Sequence, residues 1–171
     1  MDLKHLKNKK VLITGHTGFV GSWLAMVLHM NKINIYGISL KPHFDNKIYK
    51  AMKKKNLFFK REFIFDMCEY DLLKKKINQI KPDYIFHFAA QSSVVRGYES
   101  PTETYKNNFL STINLLETLR NINFRTHLIF STTDKVYSSD YLTPFNENSP
   151  LGGKDPYSNS KDFSDDMVKN Y

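Results

Sequence analysis

Three glycines spaced three residues apart, Gly15, Gly18 and Gly21, separate a short apolar run from an amphipathic segment. A glycine-rich turn between a strand and a helix lets the backbone approach a pyrophosphate, whose charge then lies against the free N–H groups of the helix start. Because a predicted strand precedes the three glycines and a predicted helix follows them, the pattern is more specific for nucleotide binding than the glycines alone. We therefore expect a dinucleotide to bind here, and the alternative is a purely structural turn. The predicted contacts are Gly15, Thr17, Gly18, Phe19, Val20 and Gly21.

Apolar runs and helical spacings alternate along the whole chain. Strands are predicted over Lys10–Thr14, 34–40, 62–65, 84–88 and His127–Phe130, and helices over 21–30, 71–80, 101–119 and from about Tyr157 onward. The long helix should bury Phe109, Ile113, Leu116 and Leu119, whereas 41–55 is predicted as a polar connection and 138–156 as a turn-rich loop. Such alternation predicts one α/β domain over 1–171, a Rossmann-type doubly wound parallel sheet with helices on both faces.

Composition narrows the class of protein further. Cys68 is the single cysteine, so neither a disulfide within the chain nor a cysteine metal cluster is expected, and a cytoplasmic location fits. Of the 25 basic residues 21 are Lys, scattered along the chain, which favours a solvated surface over a nucleic-acid partner because base readout prefers Arg. The lysine-rich start and the short apolar run that follows it predict neither a signal peptide nor a membrane span.

The second and third strands end in residues that can select the cofactor. An acidic residue after the second strand would favour NAD over NADP, but this chain has Ser39, Leu40 and Lys41 there. The choice between the two cofactors therefore stays open on physical grounds. Asp66, after the third strand, is predicted either to accept a hydrogen bond from the adenine amino group or to cap a helix.

A tyrosine and a lysine four residues apart, Tyr157 and Lys161, would share one face of a helix. A nearby cation favours the phenolate form, which suits a base that removes a hydroxyl proton. The fifth strand ends in the polar run 132–135, at the sheet edge where open α/β sheets bind ligands. We interpret both as catalytic, against the alternatives of a surface helix and of strand-end capping by Thr and Asp.

Three histidines lie in or beside the predicted strands and the glycine loop. His16, His87 and His127 have no clustered partners in the sequence, so we interpret them as structural and predict no metal site.

Several motifs together resemble one family. They are 14–24 (TGHTGFVGSWL), 87–91 (HFAAQ), 96–101 (RGYESP), 108–117, 133–137 (TDKVY) and 147–157 (ENSPLGGKDPY). With these motifs and the GxxGxxG spacing, the chain is similar to extended short-chain dehydrogenases/reductases of the NAD-dependent epimerase/dehydratase kind. Within that family it resembles most the subgroup of CDP-glucose 4,6-dehydratases. Ser92, Ser93, Val95 and Asn159 depart from the family pattern, which affects the substrate and not the fold.

The resemblance implies an NAD-dependent hydro-lyase that removes water from a nucleotide sugar. Tyr157 would take the C4 hydroxyl proton, Lys161 would support Tyr157, Thr133 would bind at C4 and Asp134 would protonate the leaving C6 hydroxyl. Lys135 stands where most related hexose dehydratases have a Glu base, as it does in the CDP-glucose subgroup. Further implied cofactor contacts are Ser39, Asp66, Met67, Ala89, Ala90, Gln91, Asn108, Tyr157 and Lys161.

The resemblance covers nearly the whole chain but only about the N-terminal half of such an enzyme. We therefore expect the C-terminal sugar-nucleotide-binding part to be absent, this part alone to be inactive, and the full-length enzyme to be a homo-oligomer. The implied pathway is deoxysugar synthesis for a surface polysaccharide. Alternatives are another dehydratase or epimerase of the family, or an inactive dinucleotide-binding remnant.

Overall fold

A computed structural model of the protein describes residues 3–42, 46–54, 59–138, 140 and 144–171. The chain forms two compact units, and each is built from two segments of the sequence. Unit 1 consists of Met1–Ala89 and Ile122–Ser131, and unit 2 consists of Ala90–Asn121 and Thr132–Tyr171.

Unit 1 contains one parallel sheet of five strands. They are β1 (Lys10–Thr14), β2 (Asn34–Ser39), β3 (Phe59–Ile64), β4 (Tyr84–His87) and β5 (His127–Phe130), in the order β3-β2-β1-β4-β5. This is the strand order of a Rossmann fold, which confirms the predicted fold class. In the central strand β1, Ile13 pairs with Gly37 on one side and with Phe86 on the other. β1 is buried along nearly its full length, as expected for a strand with a neighbour on each side.

The helices of unit 1 are α1 (Phe19–Met30), α2 (Lys47–Lys54) and α3 (Tyr70–Ile80), with a 3-10 turn at Lys4–Leu6. α3 ends at Lys81, which takes the left-handed conformation with φ 51° directly before Pro82. α1 buries Ala25 and Leu28, but Trp23 remains 47% exposed. The apolar spacing therefore located α1 correctly without showing which apolar residues it buries.

One prediction within unit 1 was wrong. The segment 41–55 contains α2, although it was predicted as a polar connection; its residues 43–45 and 55 lie outside the described residues. Four of the eight residues of α2 are Lys, so the segment has the composition of a polar connection although Tyr49 and Met52 are buried. β3 also begins at Phe59, three residues before the predicted start.

The core of unit 1 joins the sheet to its helices. Val11 and Ile13 of β1 share a face with Ile35 of β2, and this face meets Leu28 of α1 and Met52 of α2. Removing one such side chain from water stabilises the fold by about 1.5–3 kcal/mol. The strand that precedes the glycine loop is therefore held by the best-buried part of the unit.

Unit 2 is mainly helical. Its elements are α4 (Val94–Glu99), α5 (Pro101–Tyr105), a π-helical turn (Lys106–Leu110), α6 (Ser111–Arg120), a 3-10 turn (Asp134–Val136) and α7 (Pro156–Asn170). α7 packs against α4, α5, α6 and both turns.

The predicted long helix 101–119 is therefore three segments. A π turn inserts an extra residue into the helical repeat and so rotates the face that follows it. Accordingly Leu116 is buried and Ile113 and Leu119 are half-buried, but Phe109 is 36% exposed, contrary to the prediction that it points inward.

Membrane-spanning helices and metal-binding clusters are both absent from the described part of the chain. Within 3–42, 46–54, 59–138, 140 and 144–171, no helix is long and apolar enough to cross a membrane. Among those same residues no three His, Cys, Asp or Glu side chains cluster closely enough to hold a metal ion.

A buried polar cluster ties β3 to α2 and to the glycine loop. Glu62 of β3 accepts hydrogen bonds from Tyr49 and Lys53 of α2, and its Oε1 lies 2.8 Å from Nε2 of His16. Burial raises the pKa of Glu62, but the hydrogen bonds from His16, Lys53 and Tyr49 outweigh burial and lower it to about 2. Burial and the Glu62 carboxylate together raise the pKa of Tyr49. His16 is thus structural, as predicted.

The cluster predicts an acid-sensitive contribution to stability. Because the pKa of Glu62 is lowered from 4.5 to about 2, its contribution is complete above pH 4.5 and is lost as the pH falls towards 2. We expect Glu62→Gln to lower the free energy of unfolding by about 2 kcal/mol at pH 7, with the difference shrinking in acid. Urea unfolding of both proteins at several pH values measures this, and a constant difference between pH 7 and pH 3 would contradict it.

Candidate active site

The glycine loop is a tight turn that no larger residue could form at two positions. Gly15 has φ +74°, and a Cβ there would lie 2.7 Å from the Ala89 nitrogen. A Cβ on Gly21 would lie 2.4 Å from the Gly15 carbonyl oxygen, and the Gly18 N–H donates to that same oxygen over 3.0 Å. The backbone of the loop therefore has the close packing that a pyrophosphate site requires.

The start of α1 is open to an anion. Gly18 is the N-cap residue, and among the described residues no side chain caps this end. The backbone N–H groups of the first turn have no partners within the helix, and they carry the positive end of its dipole. Phe19 and Val20 are 65% and 55% exposed at this end. These features fit the pyrophosphate of a dinucleotide.

The side chains of the loop point back into unit 1. Thr17 Oγ1 lies 2.7 Å from Ser39 Oγ and donates to the Leu40 carbonyl over 3.1 Å. Ser39 is only 6% exposed. Its hydroxyl therefore fastens the loop to the end of β2, while Leu40 and Lys41 present exposed side chains just beyond.

Asp66 forms a turn after β3. Its Oδ1 accepts from the Cys68 N–H over 2.9 Å, and its carbonyl accepts from the Glu69 N–H. The N-cap of α3 is Glu69, so the helix-cap alternative for Asp66 was wrong. Met67, beside it, is buried at 4% exposure.

Thr14 connects the ends of β1 and β4 beneath the loop. Its Oγ1 lies 2.7 Å from Nδ1 of His87 and accepts from the Ala89 N–H over 3.3 Å. His87 also stacks on Phe130, and His127 stacks on Tyr84. Both histidines are therefore structural, as predicted.

In unit 2, the first turn of α7 places Tyr157. The Asp155 side chain accepts from the backbone N–H groups of Tyr157 and Ser158, and Pro156 occupies the first helical position. A Cβ on Gly97 of α4 would lie 3.1 Å from the Tyr157 nitrogen, so α4 packs closely behind the tyrosine. The pair Asp155 and Pro156 is a helix-start signal that is visible in the sequence alone.

Lys161, one turn after Tyr157, is 6% exposed. Burial lowers its pKa to about 8, against a smaller opposing effect of the Asp165 carboxylate. Side chains four residues apart share a face of a helix, so Tyr157 and Lys161 lie on one face of α7. A lysine in this environment keeps its proton at neutral pH but releases it far more readily than a surface lysine.

A buried amide network holds the side chain of Ser160, next to Lys161. Asn108, in the π turn, accepts from the Gln91 N–H over 2.7 Å and donates to the Gln91 carbonyl and to Ser160 Oγ. The Gln91 side chain donates to Thr104 Oγ1 and to the Ser93 carbonyl. The amide side chains of Gln91 and Asn108, both predicted cofactor contacts, thus form hydrogen bonds within unit 2. Ala90, which precedes Gln91 in the sequence, is exposed.

The residues Thr133, Asp134 and Lys135 form a short exposed turn. Thr133 Oγ1 accepts from the Lys135 N–H and donates to Asp134 Oδ1, so Thr133 does cap the turn. Asp134 and Lys135 are exposed and line a pocket of about 240 Å³. Its other lining residues are Tyr137, Phe145, Gly152, Lys154, Asp155 and Ser158. An acid and an amine therefore face one small cavity.

Comparison with known proteins points to one family of sugar-nucleotide enzymes. Residues 12–171 match the family model described as GDP-mannose 4,6 dehydratase. The CDP-glucose 4,6-dehydratase of Salmonella typhimurium is 35% identical over 162 residues, which cover 94% of this chain and 45% of that protein. The chain thus spans about half the length of the relatives it matches.

Solved structures agree in fold. The UDP-Glc/GlcNAc 4-epimerase of Campylobacter jejuni matches with a TM-score of 0.83 and 28% identity, over 95% of this chain and 48% of that one. The UDP-glucose 4-epimerase of Bifidobacterium longum, solved with NAD+ and UDP, matches with a TM-score of 0.80 and 26% identity, over 94% and 48% of the two chains.

Two glycines of the loop provide a matched test of its geometry. Gly15→Ala should cost about 3 kcal/mol or more, because the residue has a positive φ and its Cβ would overlap the backbone after β4. Gly18→Ala should cost about 1 kcal/mol or less, since its φ is ordinary and the nearest atom is 3.2 Å away. Denaturant unfolding compares them, and equal losses would contradict this account of the turn.

The environment of Lys161 predicts an unusual titration. In an NMR titration of labelled lysine side chains we expect one resonance to move near pH 8 and to vanish in Lys161→Arg. Lys169 is the control, because its hydrogen bond to Asp165 raises its pKa above 10.5. A spectrum with every lysine titrating above pH 10 would contradict the burial of Lys161.

Proposed function

The chain belongs to the family described as GDP-mannose 4,6 dehydratase, and on that premise we propose that it carries the nucleotide-binding part of an NAD-dependent nucleotide-sugar 4,6-dehydratase, a hydro-lyase. The observation that carries the proposal is Lys161, buried one turn after Tyr157 on a helix whose start is fixed by Asp155. We propose CDP-glucose as the substrate, supported by the 35% identity to a CDP-glucose 4,6-dehydratase.

The proposed cofactor is NAD, and unit 1 offers a suitable cradle. The backbone of Gly15, Gly18 and Gly21 leaves room at an uncapped helix start, which suits a pyrophosphate. When bound, NAD supplies the chemistry of accepting a hydride from C4 of the sugar and returning it to C6. Lys41 is exposed just beyond β2, and its positive charge also suits the 2′-phosphate of NADP.

Tyr157 acts as the base in the first step. Its phenolate takes the proton of the C4 hydroxyl, which becomes a ketone as the C4 hydrogen leaves with its electron pair. Lys161 supports this step because a protonated amine on the same helix face stabilises negative charge on the phenolate oxygen. The cost of keeping that amine charged while buried is visible in its own pKa of about 8.

The exposed turn after β5 carries out the elimination. The C4 ketone acidifies the proton on C5, which is transferred to the Lys135 amine. Asp134 delivers a proton to the C6 hydroxyl, so that the C6–O bond breaks and water leaves. Thr133 holds the C4 oxygen. Lys135 then returns a proton to C5, and the product differs from the substrate by one water.

An epimerase is the competing function, favoured by the match to the 4-epimerase of Campylobacter jejuni. Epimerisation at C4 needs the tyrosine and the lysine but no acid and base for C5 and C6. Asp134 and Lys135 line the same pocket, and this arrangement therefore favours the dehydratase. A dinucleotide-binding protein without activity is the remaining alternative, since the chain spans 45% of its dehydratase relative.

Mass spectrometry of the reaction tests the proposal. The full reading frame that contains this chain, given CDP-glucose and NAD, should form a nucleotide sugar lighter by one water. Tyr157→Phe should lower the rate about a thousandfold, because it removes the base. Tyr70→Phe, which removes a phenol hydroxyl from α3, is the matched control and should keep the rate.

Two results would overturn the dehydratase. An isomer of unchanged mass would identify an epimerase. An absence of turnover with CDP-glucose and with other nucleotide sugars, by a protein that binds NAD, would indicate a binding protein without activity.

A further inference from the structure

Asn46, directly before α2, reaches into the glycine loop. The residue is 5% exposed. Its Nδ2 lies 3.0 Å from the carbonyl oxygen of Thr17, 3.0 Å from that of Gly18 and 3.0 Å from Oγ of Ser22. One amide group therefore contacts the last two residues of the loop and the first turn of α1.

The other side of the same amide caps α2. Asn46 Oδ1 accepts from the backbone N–H groups of Ile48 and Tyr49, both over 3.1 Å, and the Asn46 carbonyl accepts from Lys50. This is the hydrogen-bond pattern of a helix N-cap. It also settles the orientation of the amide, because only oxygen can face two N–H groups and only nitrogen can face two carbonyls.

The contact with Gly18 orients a donor that an anion would use. The Gly18 carbonyl accepts from both Asn46 Nδ2 and the Ser22 N–H, each over 3.0 Å. In a planar trans peptide the following N–H points opposite to the carbonyl. Fixing the Gly18 carbonyl therefore aims the N–H of Phe19, the first free donor of α1, away from Asn46 and out of the helix start.

We propose that Asn46 is a positioning residue for the dinucleotide, acting through the glycine loop; this inference rests on the proposed function. Asn46 combines two tasks that few side chains can share. Ser would cap α2 equally well but is too short to reach the loop carbonyls. Asp would cap α2 but has no hydrogen to donate to those carbonyls.

The matched variants separate positioning from simple stabilisation of α2. Asn46→Ser keeps the cap and loses the donors, without adding charge. We expect its melting temperature to fall by a few degrees, because it loses hydrogen bonds to the loop. Its Kd for NAD, measured by calorimetry at a temperature where both proteins are folded, should rise about tenfold. Asn31→Ser removes an amide that donates to the Val27 carbonyl at the other end of α1. It should leave the Kd unchanged.

The outcomes are distinct. NAD binding by wild type and Asn46→Ser with the same Kd would overturn the positioning role and leave the proposed function intact. A wild-type protein that binds no NAD would overturn the proposed function and this inference with it. If Asn46→Ser does not fold, Asn46→Asp provides the same comparison, and NAD binding of wild-type strength by that variant would likewise overturn the inference.

Discussion

The close approach of Gly15 to the carboxyl end of β4 is the constraint on which the nucleotide site depends. The Gly15 N–H donates to the Ile38 carbonyl at the end of β2, and the space where its Cβ would lie is taken by the backbone of Phe88 and Ala89. The loop is thus held between the strands on either side of β1. In the order β3-β2-β1-β4-β5 the connections reverse between β1 and β4, which is where open α/β sheets bind their ligands.

The polar side chains around this loop form hydrogen bonds with protein atoms rather than with solvent. His16 reaches back to Glu62, Thr17 to Ser39, and Asn46 to the loop carbonyls. Each pairing satisfies a group that would otherwise be buried without a partner, at a cost comparable to a lost hydrogen bond. Because no described side chain caps the start of α1, its backbone N–H groups are left to an anion.

Two lysines of unit 2 differ in burial, which the sequence alone does not show. Lys161 is buried on α7 and its pKa falls to about 8, whereas Lys135 is exposed on the turn that Thr133 caps. Desolvation disfavours the charged form of a buried amine. Lys161 is proposed to act on the phenol one helical turn away, whereas Lys135 lines a pocket and is proposed to act on a substrate there.

The sequence by itself determined the fold class, the strands β1 and β5 to the residue, the glycine loop and the helical spacing of Tyr157 and Lys161, because these depend on neighbours within a few positions. It missed α2, half of whose residues are Lys, and the π turn that exposes Phe109, and it left open whether Asp66 caps α3. Only the tertiary structure decided which polar groups form hydrogen bonds inside the protein. Ser39, Asn46 and Asn108 find partners 17 to 52 residues away, and such pairings depend on how the strands and helices pack.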